Sequence, residues 1–173
     1  MGRDKATLPY KDATLIDYVV GVARERCDPV FVVAAPGQKL PPLQATILRD
    51  DVRGVGPLVA TGTGLRAAAR AGADWAFVCA TDMPFLDTIF IDFLLSGYTG
   101  ADIVLPWDGR DHYLAGLYRT SLTARIDALV AEGERSMAAL ADVVDVQRIV
   151  TERSIPLTNV NSATDLSSLS AVS

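Results

Sequence analysis

Asp82 is the residue of this chain best placed to do chemistry. It follows an unbroken apolar run, Trp75-Ala76-Phe77-Val78-Cys79-Ala80, and the turn after it is fixed by Met83-Pro84. Such a run reads as a buried strand. In open α/β sheets, ligands gather beyond the carboxyl ends of the strands. Two further carboxylates, Asp50 and Asp51, follow a short strand candidate at residues 46–48, and Lys5 sits in a loop that leads into the first helix. Carboxylates at two strand ends with a lysine nearby suit a phosphate and a divalent cation. Mg²⁺ prefers one or two carboxylates completed by substrate phosphate oxygens, and lysine offers phosphate a compact charge. Each residue also has a plain structural reading. Asp82 could cap the helix that follows, Asp50 and Asp51 could form a solvated turn, Lys5 could be a solvated cation, and Gly56-Pro57 could simply start a helix.

Other chemistries find less support. His112 is the single histidine, so a two-histidine zinc site cannot be built, and no Ser/His/Asp or Cys/His nucleophile arrangement can be argued around it. It is expected at the surface or behind a site. Gly62-x-Gly64 lacks the third glycine and the preceding strand of a dinucleotide fingerprint, and no Gly-x4-Gly-Lys-Ser/Thr loop is present. Cys27 and Cys79 form no disulfide framework, and Cys79 is expected in the core.

The elements that must position these residues alternate. Apolar, β-branched runs predict strands at 30–35, 46–48, 75–80, 102–106, 113–118 and 147–150. Helical spacing predicts helices at 13–26 with Asp12 as cap, 57–71, 86–95, 121–131, 136–141, and 163–169 with Ser162 as cap. Pro57 suits a first helical position. Gly62 and Gly64 within that helix cost about 1 kcal/mol each relative to alanine, so they are expected to permit close packing. This order implies an α/β fold with a mainly parallel central sheet.

The chain has 173 residues, half of them hydrophobic, which suits a single domain with an ample core. A net charge of −5 and the lack of a basic stripe argue against nucleic acid as a partner. No apolar run approaches the roughly 20 residues of a membrane span. A reducing cytoplasm fits this composition.

Several segments together resemble one family. They are Met1-Gly2-Arg3-Asp4-Lys5, Asp50 with Gly56-Pro57-Leu58, Thr81-Asp82-Met83-Pro84-Phe85, Gly133-Glu134-Arg135-Ser136 and Asn159-Val160-Asn161. In order and spacing they are similar to the molybdenum cofactor guanylyltransferases, MobA-type nucleotidyltransferases with a three-layer Rossmann-like fold. The resemblance implies a single nucleotidyltransferase domain over residues 1–173. It also implies a first strand and the L-A-G-G half of a phosphate loop ahead of Met1. The roles it implies are specific. Gly2, Lys5, Asp50, Gly56 and Asp82 would bind the nucleotide, with Lys5 and Asp82 catalytic and Asp82 holding Mg²⁺. Arg135, Asn159 and Asn161 would face the acceptor. The implied reaction joins GMP from GTP to molybdopterin and releases pyrophosphate. A molybdoenzyme or its chaperone would be the recipient. A cytidylyltransferase acting on the same pterin, a sugar-phosphate nucleotidyltransferase, and a non-catalytic nucleotide- or pterin-binding relative are the alternatives.

Overall fold

The structure is a computed structural model that describes residues 5–50, 56–152, 154–160 and 165. A short 3₁₀ turn, Lys5–Thr7, leads into a small hairpin of β1 (Pro9–Tyr10) and β2 (Ala13–Thr14). Helix α1 (Leu15–Arg24) follows directly. The sequence predicts this helix from residue 13 with Asp12 as cap. The cap is instead Thr14, whose side chain accepts from the Asp17 amide, while Asp17 reaches back to the Thr14 amide. This reciprocal box satisfies donors at the helix start. It also leaves residues 9–14 free to form the hairpin, with Lys11 at φ 50° in its turn.

Strands β3 (Phe31–Ala34) and β4 (Thr46–Arg49) pair in parallel. Helix α2 (Pro57–Arg70) starts with its proline at the first position, as expected. Strand β5 (Trp75–Cys79), helix α3 (Thr88–Ser96), and strands β6 (Ile103–Trp107) and β7 (Ala115–Arg119) come next. They are followed by helices α4 (Thr123–Ala131) and α5 (Met137–Ala141) and strand β8 (Val146–Val150). The larger sheet has the order β5-β7-β6-β8.

Helices cover both faces of this sheet. On one face, Leu15, Val19 and Val22 of α1 and Phe90, Ile91 and Leu94 of α3 pack with Val104 and Leu117. On the other face, Leu58 and Leu65 of α2 join Ile126 and Leu129 of α4 around Ile103, Leu105 and Tyr118. The strand residues alternate between the two clusters, as the period-two geometry of a strand requires. Gly62 has the role the sequence suggests: a Cβ there would lie 2.9 Å from the Ile126 side chain, so the glycine lets α2 and α4 approach closely. Gly64 is less tightly placed, 3.6 Å from Val33.

The class is α/β, as expected, but the described sheets are small and mixed. Only β3/β4 and β6/β8 pair in parallel, while β1/β2, β5/β7 and β6/β7 are antiparallel. The mainly parallel central sheet is therefore not what these residues form. The reason lies between β3 and β5. Hydrogen bonds from Thr46 to Val30 and from Asp50 to Ala34 show that even-numbered residues of β3 face β4. Likewise, Thr120 to Asp74 and Ala80 to Leu114 show that even-numbered residues of β5 face β7. By the alternation of a ladder, the backbone groups of Phe31, Val33, Trp75, Phe77 and Cys79 point the other way. They point into an apolar cavity of about 580 Å³ walled by both strands and by α1, α2 and α3. Every residue of β5 is accordingly only partly buried, although its composition reads as fully buried. Burial in this wall pushes the Cys79 thiol up to about 12, so it stays protonated, in keeping with a packing role.

Candidate functional site

Beyond β5 the chain enters the turn Thr81-Asp82-Met83-Pro84, which is held from three directions. Met83 and Leu86 are buried in the core. The Tyr10 hydroxyl donates to the Pro84 carbonyl at 2.6 Å, and the Tyr18 hydroxyl donates to the Leu86 carbonyl at 2.8 Å. The backbone N–H of Val160 donates to the Asp82 carbonyl at 3.0 Å. The two tyrosine rings meet edge to face with centroids 5.1 Å apart.

Asp82 does not cap the next helix. That cap is Asp87, whose carboxylate accepts from the Phe90 amide at 2.7 Å. The plain structural reading of Asp82 is thereby removed. Its Oδ1 is buried with no hydrogen-bond partner among the described residues. Burial raises the Asp82 pKa, while a backbone hydrogen bond and the charge of Lys5 oppose the rise. A buried carboxylate oxygen without a donor is unfavourable, and a cation would satisfy it. Among the described residues, no three His, Cys, Asp or Glu side chains gather as a metal cage. This donor set therefore fits a cation shared between one carboxylate and a phosphate ligand, the arrangement Mg²⁺ favours.

Lys5 is exposed at the start of the 3₁₀ turn, close enough for Asp82 to feel its charge. Asp50 engages other partners. Its amide extends the β3/β4 ladder, and its carboxylate accepts from the Thr63 hydroxyl of α2 at 3.3 Å. Gly2, Asp51 and Asn161 lie outside the described residues.

Gly56, Arg135 and Asn159, far apart in sequence, line one open cavity of about 1000 Å³ together with Met83, the neighbour of Asp82. Gly56 adopts φ +84°, and a Cβ there would fall 2.6 Å from the Arg135 carbonyl oxygen. The close approach that requires glycine is thus to the Arg135 backbone. The same carbonyl accepts from the Leu58 amide at 3.2 Å, docking the loop that carries Arg135 onto the start of α2. The Arg135 guanidinium is exposed and donates to the carbonyls of Val130 and Glu134.

The cavity is also lined by Asp108, Arg110 and Asp111 of the turn between β6 and β7 and by His112 after them, none of which the sequence marks as functional. His112 Nε2 lies 2.7 Å from an Asp108 carboxylate oxygen. Arg148 of β8 donates to both oxygens of Asp111, at 2.7 and 2.9 Å. The Tyr113 hydroxyl donates to Asp111 at 3.3 Å. The signal in the sequence was the density of charge around the only histidine. Nothing local showed that this turn would face Arg135.

The model of the MobA-like NTP transferase domain matches residues 1–148, most of the chain. The chain belongs to the MobA-like NTP transferase family. This MobA-like chain is 61% identical over 170 residues to a Mycobacterium marinum protein named "probable molybdenum cofactor guanylyltransferase", covering 96% of this chain and 85% of that protein. A Mycobacterium avium protein of the same name is 62% identical over 173 residues, covering 98% of this chain and 88% of that protein. The fold is also that of molybdopterin-guanine dinucleotide biosynthesis protein A from Archaeoglobus fulgidus. That match has a TM-score of 0.75 at 19% identity and covers 99% of this chain and 93% of that one. The MobA-like chain is accordingly a nucleotidyltransferase of α/β architecture.

Proposed function

We propose that this chain is a molybdenum cofactor guanylyltransferase, transferring GMP from GTP to molybdopterin with release of pyrophosphate. The observation that carries the reading is the buried, unpartnered Asp82 oxygen at a strand end, within the field of Lys5. The names of the mycobacterial relatives supply the substrates.

An oxygen of the acceptor's terminal phosphate attacks the α-phosphorus of GTP. The new P–O bond forms as the bond to the β-phosphate bridge breaks, and the electron pair leaves with pyrophosphate. A phosphate monoester, with a second pKa of about 6, is already largely dianionic at neutral pH. No proton has to be removed, so the reaction requires no general base. The chain's task is to hold two anions in line. Lys5 neutralises phosphate charge at the mouth of the site, and Gly2 and Asp50 complete the nucleotide contacts that the resemblance implies. Asp82 would hold Mg²⁺ with the substrate phosphates. Bound there, the ion would reduce phosphate repulsion and stabilise the leaving group. Arg135 and Asn159 on the cavity wall face the pterin, and Asn161 has the acceptor role that the resemblance implies.

The cavity between β3 and β5 supports one further element. Among the described residues the edges of β3 and β5 that face this cavity are unpaired, and an extended apolar segment pairing with both would join the two sheets into the mainly parallel one the sequence predicts. A cytoplasmic setting and a molybdoenzyme or its chaperone as recipient complete the reading.

Thermal-shift titration with GTP, CTP and ATP, each with and without Mg²⁺, tests it. A Mg²⁺-dependent shift favouring GTP is expected, and Asp82→Ala should lose both the shift and GMP transfer while keeping its fold. Mg²⁺-dependent transfer retained by Asp82→Ala would refute the metal role. A larger shift with CTP would move the reading to a cytidylyltransferase.

A further inference from the structure

We propose that Asp108, oriented by His112, recognises the 2-amino-4-oxopyrimidine edge of the acceptor's fused ring. The inference rests on the acceptor reading of the cavity that holds Arg135 and Asn159.

Two carboxylates of the turn face this cavity, and they differ. Asp111 is committed: both of its oxygens accept from Arg148, and Tyr113 adds a third bond. For Asp108 the side-chain partner is His112, at one oxygen. A carboxylate has about four lone-pair sites on two oxygens, so Asp108 keeps capacity for a ligand. Its surroundings keep it ionised. The His112 hydrogen bond first, and the charges of His112 and Arg110 after it, hold Asp108 below the usual carboxylate range. An ionised carboxylate only accepts, so His112 donates from Nε2. The pair sits at the open rim of the cavity: Asp108 is an exposed residue, and the hydrogen bond to the half-buried His112 is what fixes its carboxylate.

The wall beneath is rigid. The buried Tyr118 of β7 donates its hydroxyl to the Tyr113 carbonyl at 2.6 Å. Trp107 at the end of β6 bridges to Asp111 across the turn. A fixed acceptor-only group on the wall of a heterocycle pocket selects a ring edge with adjacent N–H donors. The pterin 2-amino group and N3–H form such an edge, and charge-assisted bonds to it are among the stronger hydrogen bonds. His112 touches no ring atom in this scheme and is a positioning residue.

The probes are 6-methylpterin and lumazine, followed by ring fluorescence with the 173-residue chain. Lumazine carries a carbonyl where pterin carries the amino group, and this carbonyl would face the Asp108 carboxylate. The chain should bind the pterin about tenfold or more tightly than lumazine, the size of effect expected for hydrogen bonds to a charged group. Asp108→Asn should erase that preference, because an amide can donate to the carbonyl, and should leave the GTP shift unchanged. His112→Ala should weaken pterin binding while the preference survives. An unaltered chain that does not distinguish the two rings overturns the proposal without any variant. So does an Asp108→Asn chain that still prefers pterin. A variant that changes the ratio of GTP to ITP binding instead would assign Asp108 to the nucleotide base, which also overturns it. Failure of the guanylyltransferase reading shows separately, as loss of the Mg²⁺-dependent GTP shift in the unaltered chain.

Discussion

Val160 donates its backbone N–H to the carbonyl of Asp82 at 3.0 Å. The bond ties the segment carrying Asn159 to the turn carrying Asp82, whose Oδ1 has no hydrogen-bond partner among the described residues. The proposed nucleotide-side and acceptor-side residues are thus tied through one backbone contact, and Val160 itself is fully buried. Alignment of two substrates depends on such fixed spacing, because small misplacements of reacting groups are expensive.

The Asp82 carboxylate should cost the ligand-free protein stability. Burial raises its folded-state pKa above the ordinary 3.8. Between 3.8 and that raised value the folded state binds more protons than the unfolded state, so stability falls as pH rises through this window. The penalty is fully present above it. Asp82→Asn should therefore raise the melting temperature at neutral pH, by about 2–4 °C for each kcal/mol relieved in a chain of this size. Mg²⁺ with GTP should stabilise the unaltered protein and leave the variant unmoved. A variant that melts lower at pH 7 would contradict the assignment.

The same shift sets the acid limb of activity. The site needs the ionised carboxylate, so GMP transfer should fall on the acid side at a pH above the usual aspartate range. A rate profile at saturating GTP checks this. Raising Mg²⁺ should move the limb toward lower pH, since cation and proton compete for one oxygen.

Tyr10→Phe removes the hydroxyl that donates to the Pro84 carbonyl at 2.6 Å. The expected stability loss is about 1 kcal/mol, the net value of an ordinary hydrogen bond. The greater effect should be functional, because the bond holds the Asp82 turn. Half-saturating Mg²⁺ should rise severalfold while the acceptor's KM stays close to its original value. Tyr18→Phe, which releases the Leu86 carbonyl, should act in the same direction.

Gly56→Ala should be among the more damaging single changes. At φ +84° a side chain is strained, and the new Cβ would sit 2.6 Å from the Arg135 carbonyl oxygen. Backbone strain of this type costs about 1–3 kcal/mol. Urea denaturation should show the loss. The KM for the acceptor should rise, since the displaced neighbour is the loop that carries Arg135.

Tyr118→Phe deletes the donor to the Tyr113 carbonyl from a fully buried ring. Leaving that carbonyl unsatisfied should cost about 1–3 kcal/mol. If the turn positions Asp108, the preference for pterin over lumazine should narrow in this variant as well.

Much of the architecture was legible locally. Apolar runs marked β3, β5 and β6, and Pro57 marked the start of α2, because strand and helix periods and proline's fixed φ are properties of short segments. The start of α1 was misplaced because Asp12 and Thr14 are both competent caps. Only the pairing of β1 with β2 and the Thr14–Asp17 box select the second. Burial of β5 was overstated for a similar reason: a strand's composition does not reveal whether both of its edges are paired.

The sequence by itself determined the elements and the candidate carboxylate, since Asp82 stands where an apolar run must end. It also carried the segments by which the family is recognised. Only the tertiary structure decided what those residues mean together. It freed Asp82 from a capping role, left its oxygen without a donor, and bent Arg135, Asn159 and Gly56 onto one cavity with Asp108 and His112. Those relations join residues distant along the chain. They are set by how the helices pack on the two faces of the sheet, a property that no local window of sequence contains.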